Sequence, residues 1–194
     1  IPLFIFMANI LQRAGIADSL YEAMYRWFGP VRGGLAIGTV VICTIFAAMA
    51  GISGAATVSM GLIALPSMLK HGYNKDIAIG SISAGGALGI LIPPSVTMIV
   101  LGLFANLSVG ALFLGGVFAG MLLAVLFIIY IAVRSFIQPE MGPAIPLEYR
   151  ATLSEKFSSL KSLVFPMILI FAVMGSIFSG IATPTEAASV GAFG

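Results

Sequence analysis

Hydroxyl oxygens gather around two faults in an otherwise apolar chain. The first is Gly51-Ile52-Ser53-Gly54, with Thr57 one turn on. The second runs through Ser81, Ser83, Gly85-Gly86-Ala87-Leu88-Gly89, Pro93-Pro94, Ser95 and Thr97. Proline removes a backbone donor and clashes with the preceding turn, and it pushes the residue before it out of the α region. A helix carrying the second run is therefore expected to unwind between Gly85 and Pro94 and to restart near Ser95. Unwound backbone presents carbonyls to a cation, and a restarted helix presents N–H groups to an anion. The candidate binding residues are Gly51, Ser53, Gly54 and Thr57 at the first fault. At the second they are Ser83, Gly85, Gly86, Gly89, Pro93, Pro94 and Ser95. No carboxylate or histidine lies in residues 33–69 or 77–133. Proton relays use such groups, so neutral oxygens here favour a metal cation bound by oxygens. Glycine, alanine and serine also serve a plainer purpose, the close packing of helices.

These residues sit on elements that the composition constrains strongly. Sixty per cent of the 194 residues are apolar and 8% are charged, against about 25% charged in a soluble domain. That excludes a water-soluble globule, and the nine basic residues make no patch for nucleic acid. The class is an all-α integral membrane protein. Cys43 is the single cysteine, so no internal disulfide forms. The chain opens inside an apolar run and stops in the opening turns of a helix, and is expected to be a piece of a longer protein.

The charges fall in groups at 13–32, 70–76 and 134–161, with Glu186 alone. A spanning helix needs roughly 20 apolar residues. Residues 33–70 are too long for one span and broken at Gly51–Gly54. The second arm, 56–69, covers only about 20 Å. A re-entrant helical hairpin fits, with Arg32 and Lys70 on one side. Residues 76–105 form one span broken by the second fault, and 109–136 a clean span, with Ser108 placed to cap it. All nine basic residues then share one face, which the positive-inside rule assigns to the cytoplasm.

Residues 1–32 read as the end of a span plus an interfacial arm helix, with Ile16, Leu20, Met24 and Trp27 on its apolar stripe. Residues 137–161 read as a cytoplasmic linker, 138–146, and a second arm with a Thr152–Glu155 capping box. Thr183-Pro184-Thr185-Glu186 has the same capping spacing with proline at the first helical position. Glu186 is therefore expected to cap rather than to bind an ion. Gly51-Ile52-Ser53-Gly54 also resembles the Gly-x-Ser-Gly of rhomboid intramembrane proteases. A nucleophilic serine needs a base within reach, and the one histidine, His71, lies in a charged loop beside Lys70.

The ordered set Gly51-Ile52-Ser53-Gly54-Ala55-Ala56-Thr57, Ile63-Ala64-Leu65-Pro66-Ser67-Met68, Gly72-Tyr73, residues 85–95, Ser108–Phe113 and Thr183–Ala188 resembles the large membrane subunit of TRAP (tripartite ATP-independent periplasmic) transporters. The resemblance implies an elevator-type secondary transporter half, with 162–194 as the start of a second inverted repeat. It implies import of an organic acid, of the C4-dicarboxylate or sugar-acid type, by Na+ symport. It also implies two partners, a small four-helix membrane subunit and a periplasmic substrate-binding protein, and a bacterial or archaeal inner membrane. The resemblance places the coupling ion, Na+, between the first hairpin tip and the neighbouring broken helix, here near Ser53, Gly85 and Gly86, and implies no other cofactor. The family often carries a second serine where this chain has Ile52. A divalent-anion symporter that needs no binding protein shares the hairpin logic, and a structural subunit could keep the fold and bind nothing.

The hairpin reading has a direct check. In the full protein, with Cys43 replaced by serine, Arg32→Cys and Lys70→Cys are expected to react with an impermeant maleimide from the same side. Leu107→Cys should react from the other. Labelling of Arg32→Cys and Lys70→Cys from opposite sides overturns the hairpin.

Overall fold

The computed structural model describes residues 2–51, 53–146 and 151–193, and among these every regular element is helical. In chain order they are α1 (Pro2–Arg13), α2 (Ile16–Phe28), α3 (Gly34–Ala50), α4 (Ser53–Lys70), α5 (Lys75–Leu91), α6 (Val96–Ala105), α7 (Val109–Ile137), α8 (Leu153–Ser159), α9 (Lys161–Phe178) and α10 (Pro184–Phe193). A 3-10 turn, Pro139–Met141, follows α7. Among the described residues three helical stretches are long and apolar enough to cross a membrane: Lys75–Ala105 taken across its break, Val109–Ile137 and Leu153–Phe178.

Helix α3 is the centre of the bundle. It is apolar all round, as a helix surrounded by protein must be, and it packs on α2, α4, α5 and α7. Val40, Cys43, Phe46 and Ala47 are fully buried there. By contrast α7 turns Phe118, Leu122, Ile129 and Tyr130 outward, a face suited to lipid rather than to water.

Helices α3 and α4 fold back on each other. The amide of Leu35, at the start of α3, donates to the Tyr73 hydroxyl, just past the end of α4, over 3.1 Å. Leu35 lies in the first turn of α3, so its N–H has no acceptor within the helix. Tyr73 supplies one and is itself only 4% exposed. Burial pushes the Tyr73 phenol up to about 12, against the opposing pull of the Leu35 amide. The second arm is longer than its apolar run implies. It starts at Ser53 rather than Ala56, which gives 18 residues, about 27 Å. The small polar residues Ser53 and Gly54 form its first turn, because a helix N-terminus tolerates them.

A larger correction concerns the second fault. The helix does not unwind from Gly85. It stays regular to Leu91, and only residues 92–95 leave the α conformation. The prolines remove donors only from carbonyls one turn earlier, and no steric conflict reaches back to Gly85.

The linker stretch 138–146 is tied down by backbone hydrogen bonds. Gly33 donates to the Gly142 carbonyl at 2.8 Å, Asn74 to Met141 at 3.1 Å and Ile145 to Gly29 at 2.9 Å. A Cβ on Gly142 would lie 2.9 Å from the Gly33 Cα, and Ile145 is 2% exposed. The segment straps the base of the hairpin to α2 and to the end of α7. The second arm is partly outside the described residues, at 147–150. Its helix α8 begins at the expected capping box: Thr152 N–H donates to the Glu155 carboxylate at 2.8 Å and Glu155 N–H to the Thr152 hydroxyl at 3.4 Å. Helix α8 then packs on α2. Trp27 meets Phe157 edge-to-face at 6.1 Å and donates to the Lys156 carbonyl at 3.1 Å. Trp27 therefore serves the contact between the two arms, while Leu20 and Met24 face the core.

Tyr73→Phe keeps the ring and deletes the acceptor for a buried N–H. It is expected to lower stability by about 1–3 kcal/mol, read as a shifted unfolding transition of the purified protein.

Candidate functional site

The two faults meet. At the end of α3, Gly51 adopts a left-handed conformation, φ 64°, and its N–H donates to the Ala47 carbonyl at 2.9 Å. A Cβ on Gly51 would stand 1.9 Å from the carbonyl oxygen of Pro94. The Gly51 carbonyl in turn accepts from Val96 N–H at 3.4 Å. Only glycine satisfies both the positive φ and this backbone-on-backbone approach. The turn of the hairpin is thereby seated on the break between α5 and α6. Ile52, within that turn, lies outside the described residues.

The break handles its polar groups locally. Pro93 and Pro94 have no N–H, so the carbonyls of Gly89 and Ile90 lose the donors a continuous helix would give them. Ser95, fully buried, fills one vacancy: its hydroxyl donates to the Ile90 carbonyl at 2.7 Å. The same oxygen accepts from Met98 N–H at 3.4 Å and caps α6. The Gly89 carbonyl has no backbone N–H four residues on. Four helix ends converge here: the C-termini of α3 and α5, rich in carbonyls, and the N-termini of α4 and α6, rich in amides.

Gly85 and Gly86 lie one to two turns back on α5, and both are packing positions. A Cβ at Gly85 would be 2.8 Å from Cys43 Cβ on α3. A Cβ at Gly86 would be 1.8 Å from Thr57 Oγ1 on α4. Thr57 itself donates back to the Ser53 carbonyl at 3.0 Å. The structure thus joins Gly51, Thr57, Gly85, Gly86, Pro94 and Ser95, with Gly89 and Pro93 buried beside them. Ser53 is half-buried at the start of α4, and Gly54 is exposed. Ser83 is not brought in: it lies on the exposed face of α5 with Ile79, Ala87 and Ile90.

Sequence reasoning missed the other wall. Gly116 and Gly120 of α7 press on the break, where a Cβ would lie 2.5 Å from the Leu91 carbonyl oxygen and 2.5 Å from Ile92 Cγ1 respectively. Their signal was a small residue recurring four positions apart within a clean span.

The one histidine of this chain, His71, is not brought to Ser53. His71 hydrogen-bonds with Tyr25 at 3.1 Å and with the Ser67 carbonyl at 2.8 Å. It sits at the far end of α4 from Ser53. Glu186 caps α10, with its carboxylate accepting from Thr183 N–H at 2.8 Å. Among the described residues no cluster of three His, Cys, Asp or Glu side chains could hold a metal. What the faults offer is carbonyl and hydroxyl oxygen together with amide N–H. Two cavities, of about 700 and 560 Å³, lie at the opposite, basic end of the bundle.

Comparison with known proteins adds a family to this geometry. The family model described as tripartite ATP-independent periplasmic transporter, DctM component, matches residues 1–194. A C4-dicarboxylate TRAP transporter large permease protein of Vibrio cholerae is 40% identical, over 99% of this chain and 41% of its own length. A protein of the same description from Pseudomonas aeruginosa is 38% identical, over 99% and 44%. An ectoine TRAP transporter large permease protein of Halomonas elongata is 33% identical, over 97% and 43%. The chain thus spans less than half the length of these relatives.

Close packing of α4 on α5 makes a prediction. Gly86→Ala is expected to destabilise the purified protein by about 1–3 kcal/mol through overpacking. Adding Thr57→Gly, which removes the obstructing atoms, should recover part of that loss, with a coupling of about 0.5–3 kcal/mol in a double-mutant cycle. Additive effects would show that the two residues do not collide.

Proposed function

The chain belongs to the DctM component family of tripartite ATP-independent periplasmic transporters, and on that premise we propose that it builds one half of a Na+-coupled import site for small organic acids. The observation that carries this reading is the seating of Gly51 on Pro94, which gathers four helix ends at one depth. From Lys75 the break lies about 26 Å along α5, and α6 continues for about 15 Å beyond it. That is the interior of a bilayer of roughly 30 Å once the bundle tilts. Irregular backbone at such depth is tolerated where it is buried in protein or lines a cavity.

In this reading α3 and α4 are a re-entrant hairpin, and Na+ lies between its tip and the break. The Ser53 region and the carbonyls left by Pro93 and Pro94, that of Gly89 foremost, are the oxygens on offer. Gly85 and Gly86 then act by bringing α3, α4 and α5 together, not as ligands. The N-termini of α4 and α6 face the substrate carboxylate. The remaining length of the protein supplies the second half of the site, and transport proceeds by an elevator motion. A periplasmic binding protein delivers substrate, and a small four-helix membrane subunit braces the permease in the inner membrane, with the basic loops cytoplasmic. The relatives' names, C4-dicarboxylate and ectoine, support a small polar organic solute and leave its identity to the delivering protein.

The test is uptake by the full-length permease, reconstituted with its small subunit and binding protein. An inward Na+ gradient is expected to drive accumulation. Undiminished uptake with K+ in place of Na+ and only a pH gradient present overturns the coupling.

A further inference from the structure

Helices α5 and α7 run antiparallel and leave a groove of about 560 Å³ between them at the basic end of the molecule. Its walls are apolar, formed by Gly80 and Ala84 on one side and by Leu126 and Phe127 on the other. From residue 76 to residue 84 the groove follows α5 for about 12 Å. It opens beside the outward apolar face of α7, where Leu122 is 63% and Tyr130 63% exposed. A hydrocarbon chain can enter it sideways from a bilayer.

The mouth carries an acid and a base, Asp76 and Arg134. Asp76 is exposed and Arg134 half-buried. Among the described residues the ion pair is Arg26 with Glu22, so Asp76 and Arg134 do not pair with each other or with another side chain. Asn74 takes the backbone N–H of Asp76 and leaves its carboxylate free. Tyr130 stands with them, an aromatic at the depth where membrane proteins place such rings.

We propose that this groove binds one phospholipid with an ammonium-bearing headgroup, of the phosphatidylethanolamine type. The phosphate accepts from the Arg134 guanidinium, the ammonium donates to the Asp76 carboxylate, and an acyl chain lies along Ala84 and Leu126. Two unpaired opposite charges at the mouth complement a headgroup that carries both. A purely anionic headgroup satisfies Arg134 but sets its charge near that of Asp76, a like-charge cost. Each charge also suits the dipole of its own helix end, Asp76 in the first turn of α5 and Arg134 in the last turn of α7. That role alone predicts no lipid.

The experiment uses the full-length permease with its partner subunits, delipidated in detergent and titrated with phosphatidylethanolamine or phosphatidylglycerol. Binding is read by native mass spectrometry. One phosphatidylethanolamine is expected to be retained, preferred about tenfold over phosphatidylglycerol. Arg134→Gln should weaken it about tenfold, the effect of losing a charge-assisted hydrogen bond. Asp76→Asn, at an exposed side chain, should abolish the preference while leaving phosphatidylglycerol binding intact. Ala84→Phe should fill the groove and displace both lipids from an assembled complex. Equal binding of the two lipids by the wild type overturns the proposal, as does unaltered phosphatidylethanolamine binding in Asp76→Asn and Ala84→Phe. Occupation by protein overturns it too: Gly80→Cys, with Cys43 replaced by serine, would resist a lipid-soluble maleimide and no lipid would bind.

Discussion

Breaking a helix inside an apolar bundle strands backbone N–H and C=O groups where no water can reach them, and each must find a partner or a purpose. Here two such breaks are placed against each other. The Val96 amide reaches the Gly51 carbonyl, and the Ser95 hydroxyl replaces the amide that Pro94 lacks. The arrangement depends on one missing atom. With a Cβ at residue 51 the hairpin turn could not approach the Pro94 carbonyl, and the two breaks would part. Gly116 and Gly120 of α7 hold the break from its other side by the same absence of a side chain.

The opposite end of the hairpin is fixed by equally specific contacts. Tyr73 receives the first-turn amide of α3, and the strap after α7 receives the amides of Gly33 and Asn74. A turn defined at both its tip and its base is a stiff body. The arms α2 and α8, joined through Trp27 and Phe157, lie beside that base. In the proposed transport cycle, this stiffness lets the hairpin, α5 and α6 carry a bound ion as a unit.

The convergence of helix ends also explains why neutral residues suffice at the proposed site. Partial charges at helix termini amount to about half an elementary charge each, and in a protein interior they are screened less than in water. A fixed carboxylate there would need its own compensation. Serine, glycine and proline instead expose backbone groups, which are what the proposed site would use.

Features with a short reach were legible in the residue order. Both capping boxes, Thr152–Glu155 and Thr183–Glu186, involve partners three residues apart, and both formed as expected. Ser95 and Ser108 cap their helices for the same reason. The all-helical membrane class followed from composition, since 8% charged residues cannot cover a soluble surface. What the residue order left open were choices between two uses of one residue type. Gly85-Gly86 can unwind a helix or let a neighbour in, and the difference lies in Cys43 and Thr57, tens of residues away in the chain. A run of proline and glycine at 138–146 reads as a linker, and the residue order does not show that the amides of Gly33 and Asn74 end on it. Local chemistry specifies caps, breaks and helix faces because its partners lie within a turn. Only the packed structure decides which glycine bends and which one merely makes room, because that depends on the atom a Cβ would have met.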